Sequence, residues 1–426
     1  LVLLAWGHQA CRGEDWPQWR GPDNRGVSSE KSVPLRWTVS DSGSENVKWK
    51  LPLDGEGNST PIVIGEKIFL THAPKGNKLR GLWCVDRTKG EVLWKQEVEY
   101  TEPEKTHNTN PYCASSPVSD GSCVVAWHGS AGIYCYDLDG KELWRQDLGK
   151  VEHIWGWASS PVIAGNLVIL NAGPGLQAFV VALDKTTGKE VWRKEYAGMT
   201  SEKVDEFRGS WSTPIFYREG DQQLMLLSLP LRLLAVKPAS GEEVWSSGGL
   251  SKLVYTSPLV AGDTIVAMCG YGGPAIAVRT GGAGDITETH RLWEHPKNPQ
   301  RVGSGVVVGE HIYIQNEPGV AWCLLAKTGE KLWEQRLGSK NSWSSMCHAG
   351  GRLYATNMDG HTFVLEANPQ ECKILAENKV GELTRASLAF SGPLVFQRTY
   401  KNLYCFEQSA DDPAAKSTTT EAKPQQ

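Results

Sequence analysis

The chain has 426 residues, 22% of them charged and 40% hydrophobic, a globular composition long enough for two or three domains or one large repeat architecture. A formal charge of −4 and the lack of any basic run leave no electrostatic footprint for nucleic acid. The 45 Gly and 18 Trp stand out, because they imply many turns and many large flat side chains to bury, and so lean towards an all-β fold.

The chain opens on "LVLLAWGHQAC", which reads as the apolar end of a secretory signal, so 1–14 is taken as a signal-peptide remnant. Cys11 is a candidate for lipidation, although His8 and Gln9 are poor residues upstream of a lipobox Cys. The expectation is an exported protein, periplasmic or extracellular and membrane-associated at most. No later stretch approaches the ~20 apolar residues that a membrane helix requires. "EDWPQWRGPDNRG" then begins an N-terminal arm (15–45), expected to lie against the rest of the chain as an ordered tail or a cap.

From residue 46 the sequence repeats. "TKGEVLW", "DGKELW", "TTGKEVW", "SGEEVW" and "TGEKLW" place a Trp just after a tight turn. The aligned set is Trp49, Trp94, Trp144, Trp192, Trp245, Trp293 and Trp333, with Ala376 in the eighth slot. The mean step from Trp94 to Trp333 is about 48 residues, a spacing that suits four-stranded propeller blades. A second marker keeps the same register: "STPIVIG", "SSPVSDG", "SSPVIAG", "STPIFYREG", "TSPLVAG", "GSGVVVG", "SSMCHAGG" and "ASLAFSG" give eight strand starts. Each unit reads as strands A to D, with Pro at the head of A, where no donor is needed, and Gly in the C–D hairpin. The Trp of strand D is assigned to packing between blades, since each buries roughly 150–250 Å².

The last unit has strands A, B and C but no D, and "NVKWKLPL" at 46–53 precedes the first A strand. The spare segment is therefore expected to close the ring as the missing D strand. This predicts an eight-bladed β-propeller of four-stranded antiparallel blades over 46–407. The polar residues 408–426 are expected to be a disordered tail.

Four cysteines (Cys84, Cys135, Cys323 and Cys405) share one slot with Ala182 and Ala235, which asks for a small buried side chain rather than a disulfide. No zinc spacing occurs, and the histidines are scattered over different blades, so no metal ligands are assigned.

The unit "S-S-P-V…G…A-L-D-x-x-T-G-K-x-x-W" resembles the pyrroloquinoline-quinone (PQQ) repeat, and the resemblance covers about residues 46–407. That family implies an eight-bladed propeller. It contains both quinone-dependent alcohol dehydrogenases and the BamB-type outer-membrane assembly factor, which binds partners and no cofactor. Fold alone does not choose between them.

The D-to-A connections should form one rim of a central funnel. They supply Asn110, Tyr112, Trp155, Trp157, Trp211, Tyr255, Arg301, Trp343 and Arg385 as candidate binding residues. Such a set could simply plug the channel, or it could stack a planar acidic ligand. A dehydrogenase would also need Ca²⁺ on hard oxygen ligands and a carboxylate base. Family members supply a Glu, an Asn and an Asp for this, beneath a vicinal Cys–Cys disulfide. This chain has no Cys–Cys dipeptide, and Asn108, Asn110, Glu152, Asp205 and Glu206 fall in no matching spacing, so no catalytic residue is assigned. "GYGGP" (270–274) lacks a following helix and reads as a turn rather than a phosphate loop.

The expected function is a BamB-like binding or scaffold propeller of the cell envelope, without cofactor. It would be a monomer that meets a protein partner or small ligand on one face. The alternative is a PQQ- and calcium-dependent alcohol or polyol oxidoreductase, and a third reading is a sugar- or glycan-binding propeller that uses Trp157 and Trp343.

Overall fold

The computed structural model describes residues 13–409 apart from 75, 77 and 299. The expectations for the signal segment (including Cys11) and for nearly all of the tail lie outside the described residues. Eight antiparallel sheets form the blades: 62–99, 118–146, 162–194, 215–248, 259–295, 306–336, 347–379, and an eighth made of 389–407 with Val47–Pro52. The N-terminal strand is the outer strand of blade 8, with Trp49 opposite Cys405 and Leu51 opposite Leu403. The ring closes as the missing D strand required.

The two sequence markers have physical counterparts. Six of the seven repeat Trp donate the indole N–H to a carbonyl at the C–D turn of the next blade. Trp49 reaches Arg87 at 2.9 Å, Trp144 reaches Lys185 at 2.7 Å and Trp293 reaches Ala326 at 2.8 Å. The turn glycines lie flat against those rings. A Cβ on Gly90, Gly140, Gly188 or Gly241 would sit 2.5–2.8 Å from Trp49, Trp94, Trp144 or Trp192, and each of these glycines has positive φ. Gly and Trp therefore recur together because most seams use the Trp of one blade and the Gly of the next. Within a blade, the Trp faces the small slot across the hairpin: Cys84 opposite Trp94, Cys135 opposite Trp144, Ala182 opposite Trp192, Cys323 opposite Trp333. Where Trp is replaced by Ala376, the slot holds the larger Val364.

The Ser-x-Pro marker builds a hydrogen-bonded girdle around the channel. The amides of Thr60, Ser116 and Ser160 donate to the hydroxyls of Ser116, Ser160 and Thr213 at 2.9–3.0 Å. Those of Ser257, Ser304, Ser345 and Ser387 donate to Ser304, Ser345, Ser387 and Thr60 at 2.9–3.1 Å. Between blades 4 and 5 the sense reverses, and the Ser257 hydroxyl donates to the Thr213 carbonyl at 2.6 Å.

Two features depart from the plain repeat. The C–D connection of blade 5 is a longer insert whose Gly284–Asp285 adds a fifth, parallel strand beside Trp245 of blade 4. With an insert in place of the tight turn, Trp245 donates to the Tyr217 hydroxyl of its own blade at 3.0 Å. The arm is ordered and runs across the inner strands. Trp16 pairs with Val63 of blade 1, Ser119 of blade 2 donates to the Pro17 carbonyl, Asn24 donates to the Pro214 carbonyl of blade 4, and Val27 bridges His348 of blade 7. Its next stretch places Trp37 against Phe406 and Tyr354, between blades 7 and 8.

Candidate functional site: a funnel floored by the arm

The D-to-A connections converge on a cavity of about 410 Å³, a size within the usual range for small-molecule sites. The hydroxyl girdle (Thr60, Ser160, Thr213, Ser345, Ser387) lines its depth, and Trp19 of the arm lies among these residues as the floor.

Seven of the nine rim candidates line it: Asn110, Trp155, Trp211, Tyr255, Arg301, Trp343 and Arg385. The other two turn away. Trp157 is buried against Trp127, ring centres 4.8 Å apart, with its indole lying over Gly129. Tyr112 lies under the Arg80 guanidinium at 3.8 Å and donates to the Glu104 carbonyl at 2.7 Å. Both belong to the packing behind the rim. Among the lining residues not assigned from the sequence are Trp19, Asn58, His107 and Tyr271. Tyr271 is the Tyr of "GYGGP", which does make a turn, but the turn holds Tyr271 at a φ of 57° beside the cavity. An aromatic set among three glycines was the available signal.

One wall is aromatic. Trp211 stacks on Tyr255 with centres 4.4 Å apart and planes 12° apart, and Trp155 lies parallel to Tyr271 at 6.2 Å. Two cations also line the funnel. Arg301 sits 3.6 Å over Tyr271 and pairs with Glu317 at 3.3 Å. Glu317 also accepts from the Trp343 indole at 2.7 Å. Arg385 lies 4.9 Å over Trp343, donates to the Tyr400 hydroxyl and makes no ion pair among the described residues. Burial pulls the Arg385 guanidinium below its usual range, opposed by the charge of Glu56. Burial likewise pushes the Tyr255 hydroxyl well above the ordinary phenol range.

The residues present do not match a calcium–quinone centre. No Asp or Glu is among the described residues that line the funnel, and no group of three His, Cys, Asp or Glu side chains is placed to hold a metal ion. The Asn110 amide nitrogen donates to the Trp155 and Trp157 carbonyls at 2.8 and 3.1 Å, and its Oδ1 lies 3.5 Å from the Asn58 amide nitrogen. Glu152 and Glu206 lie at a separate depression outside the funnel. No step through a quinone is therefore derived.

Fold and site define an eight-bladed propeller with an aromatic, cationic funnel. The sequence model of the family described as outer membrane protein assembly factor BamB matches residues 83–335 and 283–371, and the chain belongs to that PQQ-repeat family. It is 27% identical over 188 residues to a quinohemoprotein alcohol dehydrogenase of Pseudomonas putida, a match spanning 40% of this chain and 24% of that one. It is 22% identical over 249 residues to BamB of Yersinia pestis, 56% of each chain. The chain thus spans about a quarter to just over half the length of these curated relatives. Among solved structures, BamB of Moraxella catarrhalis aligns with a TM-score of 0.61 at 14% identity, covering 86% of this chain and 98% of that one. A europium-containing methanol dehydrogenase aligns at 0.68 and 12%, covering 92% and 98%. At such identities the structural likeness speaks for the fold alone. No helix among the described residues is long and apolar enough to cross a membrane.

Proposed function

We propose that the protein works by binding, as an exported BamB-like recognition or scaffold propeller of the cell envelope, with the funnel face as its working surface. The observation that carries this reading is the funnel's donor set: two arginines and an aromatic wall, with no carboxylate among the described lining residues. Alcohol oxidation on a calcium-bound quinone needs hard oxygen ligands for the cation and a base for the alcohol proton. The described lining residues offer no carboxylate for either task, and the two arginines favour an anion instead. Exposed apolar side chains on the same face, Ile154, Leu176 and Leu383, suit contact with a protein partner. Envelope placement draws support from the relatives named as outer-membrane assembly factors.

The test is enzymatic. Purified protein with added PQQ, Ca²⁺, a primary alcohol and an electron-accepting dye should reduce no dye above the no-alcohol control. Alcohol-dependent dye reduction would overturn the binding reading in favour of the dehydrogenase.

A further inference from the structure

Four buried polar atoms in the funnel wall have no hydrogen-bond partner: Asn58 Oδ1, the Tyr255 hydroxyl, and Nε of both Arg301 and Arg385. All four belong to residues that line the cavity, so the guanidinium, phenol and amide groups of these side chains are the polar chemistry that it presents to a ligand. Their chemistry is mixed. The two guanidinium nitrogens can only donate, the phenol can donate or accept, and the Asn58 oxygen can only accept because its amide nitrogen is held by the Thr109 carbonyl at 3.0 Å. A complementary ligand therefore carries an anionic acceptor for the arginines and a hydroxyl donor for Asn58.

The wall narrows the class. A flat aromatic ring sandwiched between two others needs them about 7 Å apart, twice the ~3.5 Å contact distance. Trp211 and Tyr255 are already stacked on each other at 4.4 Å, and Trp155 and Tyr271 are 6.2 Å apart, so neither pair leaves a slot. What the wall offers is ring faces and edges at several tilts, such as the 43° between Tyr255 and Tyr271. The negative π face attracts the weakly positive C–H face of a saturated ring. A pyranose supplies that face together with hydroxyls.

Resting on the binding reading above, we propose that the funnel is a site for an anionic sugar: a pyranose ring bearing a carboxylate or sulfate, its charged group at Arg385 and Arg301, a ring hydroxyl on Asn58 and an apolar face on the Trp155–Tyr271 wall. Arg385 is the principal anion contact, since Arg301 already shares charge with Glu317.

The test is a Trp-fluorescence titration of the full chain at fixed ionic strength with glucuronate, galactose 6-sulfate, glucose and benzoate. One or both anionic sugars should quench saturably, and glucose and benzoate should bind at least tenfold more weakly. The stronger of the first two identifies the anionic group. Arg385→Gln should weaken the anionic sugar roughly tenfold or more, with an unchanged near-UV circular dichroism spectrum. Asn58→Ala should weaken it as well and serves if the first variant misfolds. No saturation by either anionic sugar, or equal affinity for glucose or benzoate, overturns the proposal. Dye reduction in the alcohol assay would instead sink the binding reading on which it stands.

Discussion

The seam between blades 2 and 3 and the seam between blades 7 and 8 do the same work with different residues. In the first, Trp144 lies over Gly188 and donates to the Lys185 carbonyl of the following C–D turn. In the second, the closing strand Val47–Pro52 enters from the arm, so blade 8 has no C–D turn of this kind to receive a Trp. There the D strand carries Ala376, and Trp37 of the arm is fully buried between Tyr354 and Phe406, with its amide donating to Asn378. The difference teaches that the repeat Trp is one half of a two-blade device. At the closing seam, where the receiving turn is lost, the aromatic volume comes from the arm.

Removing the substitute is the strongest way to break this comparison. Trp37→Ala and Trp144→Ala should each cost about 3–5 kcal/mol, the usual loss for a large buried aromatic. Urea unfolding followed by far-UV circular dichroism measures both. If Trp37→Ala costs less than about 1 kcal/mol, the arm merely lies on the ring and does not complete it.

This pairing also explains what the sequence could disclose. Eight blades and their closure were legible because most seams are written twice, as a Trp in one unit and a Gly in the next, and the strand-A starts repeat at the same interval in all eight units. The D-to-A connections were legible as rim because they precede strand A in every unit. Side-chain direction within them was not, since those loops have no period of their own. Trp155 and Trp157 differ by two residues, yet Gly129 leaves a flat bed that draws only Trp157 outward. Trp19 was hidden for a related reason. The path of the arm is fixed by contacts such as Asn24 with the Pro214 carbonyl, and nothing in the repeat encodes them.

A second contrast separates buried histidines that have partners from those that do not. His72 hydrogen-bonds to Asp54, yet burial and then the Arg398 charge still hold it near 4. His128 is buried with both ring nitrogens unpartnered, and burial followed by the charge of Arg80 takes it from 6.5 to about 3. Between those two values the unfolded chain binds a proton that the folded chain refuses. Stability from His128 is therefore full above pH 6.5 and falls as the pH drops towards 3. At pH 5 the loss from this residue should be roughly 2 kcal/mol relative to pH 7.5. Urea midpoints at the two pH values test it, and His128→Leu should shrink the difference. An unchanged difference would mean that His128 is solvated or protonated in the native ring.

The smallest expected effect sharpens the comparison at the girdle, where seven contacts run one way and the one between blades 4 and 5 runs the other. Ser345→Ala removes the acceptor for the Ser304 amide, leaving a buried N–H unpaired, and should cost about 1 kcal/mol or somewhat more. Ser257→Ala removes only a donor to the Thr213 carbonyl. A carbonyl tolerates a lost partner better than an amide does, so this change should cost less than Ser345→Ala. Equal costs would show that the reversed link bears the same load as the others. A larger cost for Ser257→Ala would make the junction of blades 4 and 5, where the fifth strand is also added, the weakest seam of the ring.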